Sequence, residues 1–376
     1  MLVSVPGCLW SSSDLTTPPE PPGIAPAIGE ATLFDVAWTA PIPVNTQDLA
    51  IVAPAGGGAA QIVALAIDGV IRRYDHQGRQ ITMFEVQNDA FALLAGPTGG
   101  AGTFGVLSKR FERGDHPFHP RAAEVFLGAR RLDGQEVWTH ARPAPTNTWF
   151  RALPVVRDGE ARTLLQIGDD LALVDAAGTT RSTSPALSCP EWTAADLDGD
   201  GESEVLVTHP AREGAEVREL DDALGLAATP VWHTVHSGGV FAGALEVGGP
   251  VFVAAIGMAT APDANGHLPD RLQVYTGDGE LVCTADLPWP VRHSGTQPIL
   301  TLDTDGDGSR AWVVSGDDGR LYLYSAGCAE SEVHATGRGT RVMRVLARPD
   351  GDLLVVGESR AVRVWQRVRG RASGVD

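Results

Sequence analysis

A unit of short strands and tight turns recurs along this chain, and that recurrence restricts the fold more than any other feature. Ala64–Glu85 reads ALAIDGVIRRYDHQGRQITMFE, and Val313–Val333 repeats the plan as VVSGDDGRLYLYSAGCAESEV. Looser copies are EVFLGARRLDGQEVWTH, LQIGDDLALVDAAGTTRS, RLQVYTGDGELVCTADL and LLVVGESRAVRVWQ. Each is a buried strand, an Asp or Gly turn, a second strand, a Gly turn and a polar strand, which are hairpin signals. Glycines of the last turn fall at Gly78, Gly134, Gly178, Gly225, Gly279 and Gly327, between 44 and 56 residues apart. That spacing suits one four-stranded unit per repeat and predicts an all-β fold. A parallel β-helix would need a shorter period, and a row of β-sandwiches would not repeat at this interval.

Seven units follow, at 45–87, 88–142, 146–187, 190–235, 237–288, 295–335 and 340–368. The last lacks a fourth strand after Trp365. Ala31–Thr39 (ATLFDVAWT), similar to the outer strand QEVWTH of the second unit, supplies it. The expectation is a seven-bladed β-propeller of four-stranded antiparallel blades, closed by an N-terminal strand that satisfies an otherwise open edge. Composition then makes sense: 44 Gly and 26 Pro in 376 residues, with 43% hydrophobic residues, are turns between short buried strands. One domain over 31–368 replaces the two or three domains that the length suggests. Residues 1–30 read as a signal remnant and Pro-rich tether, and 369–376 as a disordered tail.

The formal charge of −18 opposes phosphate backbones and anionic lipid surfaces, so nucleic-acid binding is excluded as a working function. No apolar run is long enough for a membrane-spanning helix. Met1–Cys8 (MLVSVPGC) resembles the end of a bacterial lipoprotein signal, which implies lipidation at Cys8 and an extracytoplasmic location. Pro6 departs from that pattern, and neither a basic segment nor an apolar one precedes it; the other reading is an ordinary tail. Ser11–Glu30, with Pro18, Pro19, Pro21, Pro22 and Pro26, reads as an extended tether. Cys189, Cys283 and Cys328 show no zinc spacing; a Cys283–Cys328 disulfide between neighbouring repeats and three buried thiols are both open.

Asp196-Leu197-Asp198-Gly199-Asp200-Gly201-Glu202-Ser203-Glu204 is the sharpest motif. Its carboxylates at positions one, three, five and nine, with the Glu202 carbonyl at seven, can surround Ca²⁺, which takes six to eight oxygens. An EF-hand would require glutamate at position twelve, where Val207 stands within a strand. Asp303, Asp305 and Asp307 repeat the first three carboxylates, but Ala311 takes the ninth place with Arg310 beside it, so the second site should be weaker. Ordinary Asp-Gly turns are the alternative at both loops.

DxDGDGxxE followed by an apolar strand resembles the FG-GAP, or VCBS, repeat of integrin-α-type propellers and their bacterial relatives. The resemblance implies structural Ca²⁺ in the loop joining the first and second strands of a blade. Its ligands would be Asp196, Asp198, Asp200, the Glu202 carbonyl and Glu204, then Asp303, Asp305 and Asp307. Members of that family serve adhesion, recognition and enzymes alike.

Catalytic signatures are absent. No GxSxG, HExxH or phosphate-binding loop occurs, and the one histidine cluster, His116 and His119 with Glu112 and Asp115, is broken by prolines. No recurrent tryptophan-docking signature of the quinoprotein kind is evident, and the arginines Arg360, Arg363, Arg367, Arg369 and Arg371 read as a solvated end. Meander topology puts the calcium loops on one face. The long loops 111–121 and 258–270 lie on the other, where a protein or glycan ligand is expected. The function expected is a non-enzymatic recognition, adhesion or scaffold module; the alternative is a carbohydrate-active or quinoprotein-like enzyme with its site in the central depression.

Overall fold

The computed structural model describes residues 34–96, 98–112, 121–143, 150–168, 170–185, 191–208, 215–218, 232–234, 240–244, 249–258, 270–287, 299–303, 306–316, 320–335, 342–348, 350–358 and 360–367. All named elements are strands, and no helix among these residues is long and apolar enough to cross a membrane. They form four-stranded antiparallel sheets. Six are continuous in sequence, spanning 46–85, 89–143, 150–185, 191–234, 240–286 and 299–335, and are called the first to sixth sheets. The seventh joins Val342–Leu346, Leu353–Glu358 and Ala361–Arg367 to Phe34–Pro41 from the start of the described chain. Trp38 stands opposite Val364 and Thr39 opposite Arg363.

Burial explains the sequence pattern. The middle strands are covered on both faces: Gln61–Ala66 is buried from Ile62 onwards, and Leu353–Glu358 throughout. These strands therefore read as apolar runs rather than alternations. Fourth strands such as Gln80–Glu85 and Leu281–Asp286 alternate exposed and half-buried residues, since one edge and half their side chains meet solvent.

Each hydrophobic cluster lies between two consecutive sheets. Ala50, Val63 and Phe104 link the first and second sheets, and Leu127, Leu165 and Val174 the second and third. Leu164 and Val205, then Leu206 and Tyr275, carry the contact through the fourth sheet to the fifth. Ile256 and Trp312, then Leu300 and Leu354, continue it to the seventh. Leu49, Ile62 and Tyr74 meet Leu346, Val355 and Val364, which returns the series to the first sheet. The core is thus a circle of sheet-to-sheet contacts. At its inner side Asp48 reaches across three sheets. Its carboxylate accepts from the amides of Leu49 (2.7 Å) and Leu93 (2.8 Å) and pairs with Arg344 at 2.9 Å. Burial raises the Asp48 pKa, and the Arg344 charge opposes that rise.

No recurrent tryptophan signature is evident in the sequence, yet among the described residues an aromatic side chain covers the last turn of three sheets, and at two of them it is a tryptophan. The Trp38 ring lies over Gly78 of the first sheet, and its Nε1 donates to the His76 carbonyl at 3.1 Å. Trp138 lies likewise over Gly178 and donates to the Ala176 carbonyl at 2.8 Å. Phe84 covers Gly134. Each pair joins a fourth strand to the last turn of the next sheet, so the signal is split between units. Two corrections follow. The left-handed position of the sixth sheet's last turn is Cys328, at φ 59°, where the sequence register places Gly327. Arg363 is not a solvated end: it pairs at 3.2 Å with the buried Glu358 and stacks over Trp365.

Gly178 has φ +81°, and a Cβ there would stand 2.7 Å from the Trp138 ring. Gly178→Ala should cost about 2–4 kcal/mol, combining left-handed strain with overpacking. Gly159→Ala, at φ +66° with nothing within 4 Å, should cost only about 1 kcal/mol. Urea denaturation midpoints of the two variants check the difference.

Candidate metal centre

The Asp-rich loop joins Glu191–Ala195 to Glu204–Thr208, the first and second strands of the fourth sheet. Its fold is set by its own carboxylates. Asp196 accepts from the Gly199 amide through Oδ1 (2.7 Å) and from the Gly201 amide through Oδ2 (3.0 Å). Asp198 Oδ1 accepts from the Asp200 amide, and Asp200 Oδ1 from the Glu202 amide. Gly199 and Gly201 have φ of +83° and +89°, so the successive bends need residues without a Cβ penalty.

These turns bring one carboxylate oxygen each from Asp196, Asp198 and Glu204 within 4.8 Å of one another. Asp200 lies outside that trio but close enough for its charge to act on Glu204. Glu202 points elsewhere. Its carboxylate accepts from the amides of Asp158 (2.8 Å) and Gly159 (3.1 Å) in the third sheet and stands 3.6 Å from Arg157. Any oxygen Glu202 lends to the loop would be its backbone carbonyl. Ser203 adds a second tie to the third sheet, donating its amide to the Val156 carbonyl and accepting from the Val156 amide. On the other side Leu197 packs with Leu206, Val253 and Tyr275, and its carbonyl lies against Gly277 of the fifth sheet. The loop is wedged between its two neighbours.

Electrostatics single out Glu204. Burial and the charges of Asp198 and Asp200 push its pKa to about 7, while the bond it accepts from the Leu197 amide (2.6 Å) pulls the other way. A hard divalent cation would offset this crowding, and oxygen-only donors suit Ca²⁺.

The second loop is built differently. Asp303 is buried and accepts from the amides of Gly306 (2.7 Å) and Gly308 (3.0 Å), and Asp307 accepts from the Ser309 amide. Asp305 lies outside the described residues. Beside the loop stands Asp352 of the seventh sheet, which the sequence motif does not include. It accepts from the Asp303 amide at 3.0 Å, its own amide donates to the Asp303 carbonyl at 2.7 Å, and Arg310 is 3.9 Å away. Burial raises its pKa. The positive charge of the nearby arginine opposes a cation beside these carboxylates.

Cys283 and Cys328 are joined by a disulfide, with Cα atoms 5.7 Å apart. Cys8, the cluster His116 and His119, and the loop cores 113–120 and 259–269 fall outside the described residues.

No protein-family profile and no curated protein matches this chain. Solved structures do. One is BBS1N in complex with ARL6DN, soaked with mercury: TM-score 0.63, 13% identity, covering 90% of this chain and 98% of that one. The same complex soaked with lead gives a TM-score of 0.61 at the same identity and coverage. The likeness is one of fold, and the fold is a β-propeller.

Glu204 dictates a pH dependence. Its folded pKa of about 7 exceeds the ordinary 4.5, so the folded chain keeps a proton that the unfolded chain releases. Metal-free stability should therefore fall as pH rises from about 4.5 to about 7. A cation must displace that proton, so its affinity should climb over the same range and level off above it. Glu204→Gln should flatten the metal-free dependence, read from urea midpoints at about pH 5 and about pH 8.

Proposed function

We propose that this chain is a seven-bladed, calcium-stabilised β-propeller of the FG-GAP type, one domain over 31–368, that acts as a non-enzymatic recognition or scaffold module. The convergence of Asp196, Asp198 and Glu204 in a loop tied to both neighbouring sheets carries the calcium part of the reading. Asp200 and the Glu202 carbonyl would complete the oxygen set. Asp303, Asp305 and Asp307 would form a weaker site. The ion's role is structural: it neutralises a cluster that otherwise strains the junction of three sheets.

Recognition is supported by the neighbour of similar fold, BBS1N, which was solved in complex with ARL6DN. The partner of this chain would be a protein or a glycan, bound on the face away from the metal loops by segments 111–121 and 258–270. An extracytoplasmic setting, with Cys8 as a lipid anchor, suits both the calcium reading and the Cys283–Cys328 bond. The enzyme alternative gains nothing from the tryptophan docks, which are packing contacts without reactive groups.

Calcium at a hundredfold excess over Kd should stabilise the folded chain by about 2.7 kcal/mol, and a chelator should reverse the gain. Asp198→Ala should remove most of this response, while Asp307→Ala should leave most of it. Thermal unfolding with and without chelator measures the effect; equal melting in both would overturn the calcium reading.

A further inference from the structure

The disulfide occupies the same station that the aromatic docks occupy elsewhere. In the first sheet's last turn, the Gly78 amide donates to the Asp75 carbonyl and the Asp75 amide to the Arg79 carbonyl. In the third sheet the same pair of bonds links Gly178 with Asp175 and Asp175 with Thr179. In the sixth, Cys328 bonds to Ser325 and Ser325 to Ala329 in the same way. Cys328 is therefore the counterpart of Gly78 and Gly178. The docking residue matches too. Trp38 and Trp138 donate to the carbonyls of His76 and Ala176, each one residue into the turn. Cys283 Sγ lies 3.4 Å from the carbonyl of Ala326, also one residue into its turn. Cys283 thus stands where the tryptophans stand, on the fourth strand of the preceding sheet.

The exchange has a physical consequence. A glycine adopts positive φ at no steric cost, and a large ring over it supplies contact area. Cys328 holds φ 59° with a side chain present, buried at 5% exposure among Ile256, Trp312 and Tyr324. A cysteine in that conformation is uncommon and persists where its surroundings impose it. Cys283 is too small to replace an indole by packing. At this joint a covalent bond does what a ring does over Gly78, Gly134 and Gly178.

We infer that the contact between the fifth and sixth sheets is a redox-sensitive latch, in which the Cys283–Cys328 bond replaces an aromatic dock and its reduction selectively frees the sixth sheet's last turn. Access favours attack at Cys283, which is half-buried on an outer strand, over the buried Cys328. A dithiol reductant would form a mixed disulfide with Cys283 and release Cys328 as a thiolate, which takes up a proton. The reductant's second thiol would then displace Cys283. Two electrons and two protons pass to the protein, leaving two cysteine thiols and the oxidised reductant. Trp38 over Gly78 and Trp138 over Gly178 would be untouched, so opening stays local.

The test uses the full chain, oxidised and treated with dithiothreitol. Alkylation and mass measurement should count two more thiols after reduction. Hydrogen exchange should then accelerate at least tenfold in 281–286 and 325–335 and stay unchanged in 75–79 and 175–179. The melting temperature should drop on reduction. Cys283→Trp combined with Cys328→Gly, which rebuilds the aromatic dock, should melt at one temperature with or without reductant. No gain in thiols, or exchange that is unchanged or raised equally at all four segments, would overturn the inference. Exchange is read on the unmodified chain, so it decides the matter even where the double variant fails to fold.

Discussion

The hydrogen-bonded pairing of Phe34–Pro41 with Ala361–Arg367 is the constraint on which the other contacts depend. Every sheet has two apolar faces, and each face is covered by a neighbouring sheet. Such an arrangement leaves no terminal face only if the series returns to its start. The seventh sheet makes that return, and its fourth strand comes from the other end of the chain. Phe34, Trp38 and Ala40 then perform separate tasks on one strand: Phe34 packs into the contact with the sixth sheet, and Ala40 into the contact with the first. Trp38 covers the first sheet's last turn. Asp48 and Arg344 tie the same junction from the inside.

Within that frame the Asp-rich loop is a local solution to crowded charge. Four backbone amides of the loop are satisfied by its own aspartates, and Glu202 and Ser203 fasten it to the third sheet. The loop still gathers the carboxylates of Asp196, Asp198, Asp200 and Glu204, and burial first, then the charges of Asp198 and Asp200, raise the Glu204 carboxyl. The second loop resolves the same problem with protein groups, bringing Arg310 to Asp352 beside the buried Asp303. The two loops of one motif thus differ in their charges: the first carries Glu204 at its ninth place, and the second has Ala311 there with Arg310 beside it.

Strands, turns and the borrowed fourth strand were legible because they are written in local pattern: apolar runs for strands covered on both faces, and Gly or Asp-Gly where φ turns positive. The loop's place between first and second strands followed instead from the resemblance of DxDGDGxxE to the FG-GAP repeat. Contacts between units were not legible. Trp38 and His76 are 38 residues apart, as are Trp138 and Ala176, and the docking residue changes from Trp to Cys at Cys283, while Phe84 docks from two residues further along its strand. A search for a repeated tryptophan misses a repeated position. Asp48 and Asp352 carry no motif, since their partners lie on other sheets. Register slipped by one at Gly327, where a glycine next to the turn position concealed the cysteine that occupies it.

Hydrogen exchange under mildly denaturing conditions tests the ring's dependence on its closing strand most directly. If closure holds the structure together, amides of Phe34–Pro41 exchange with the free energy of global unfolding, in step with Gln61–Ala66 and Leu353–Glu358. Exchange of Phe34–Pro41 at a much lower free energy, with the other two segments still protected, would contradict the account.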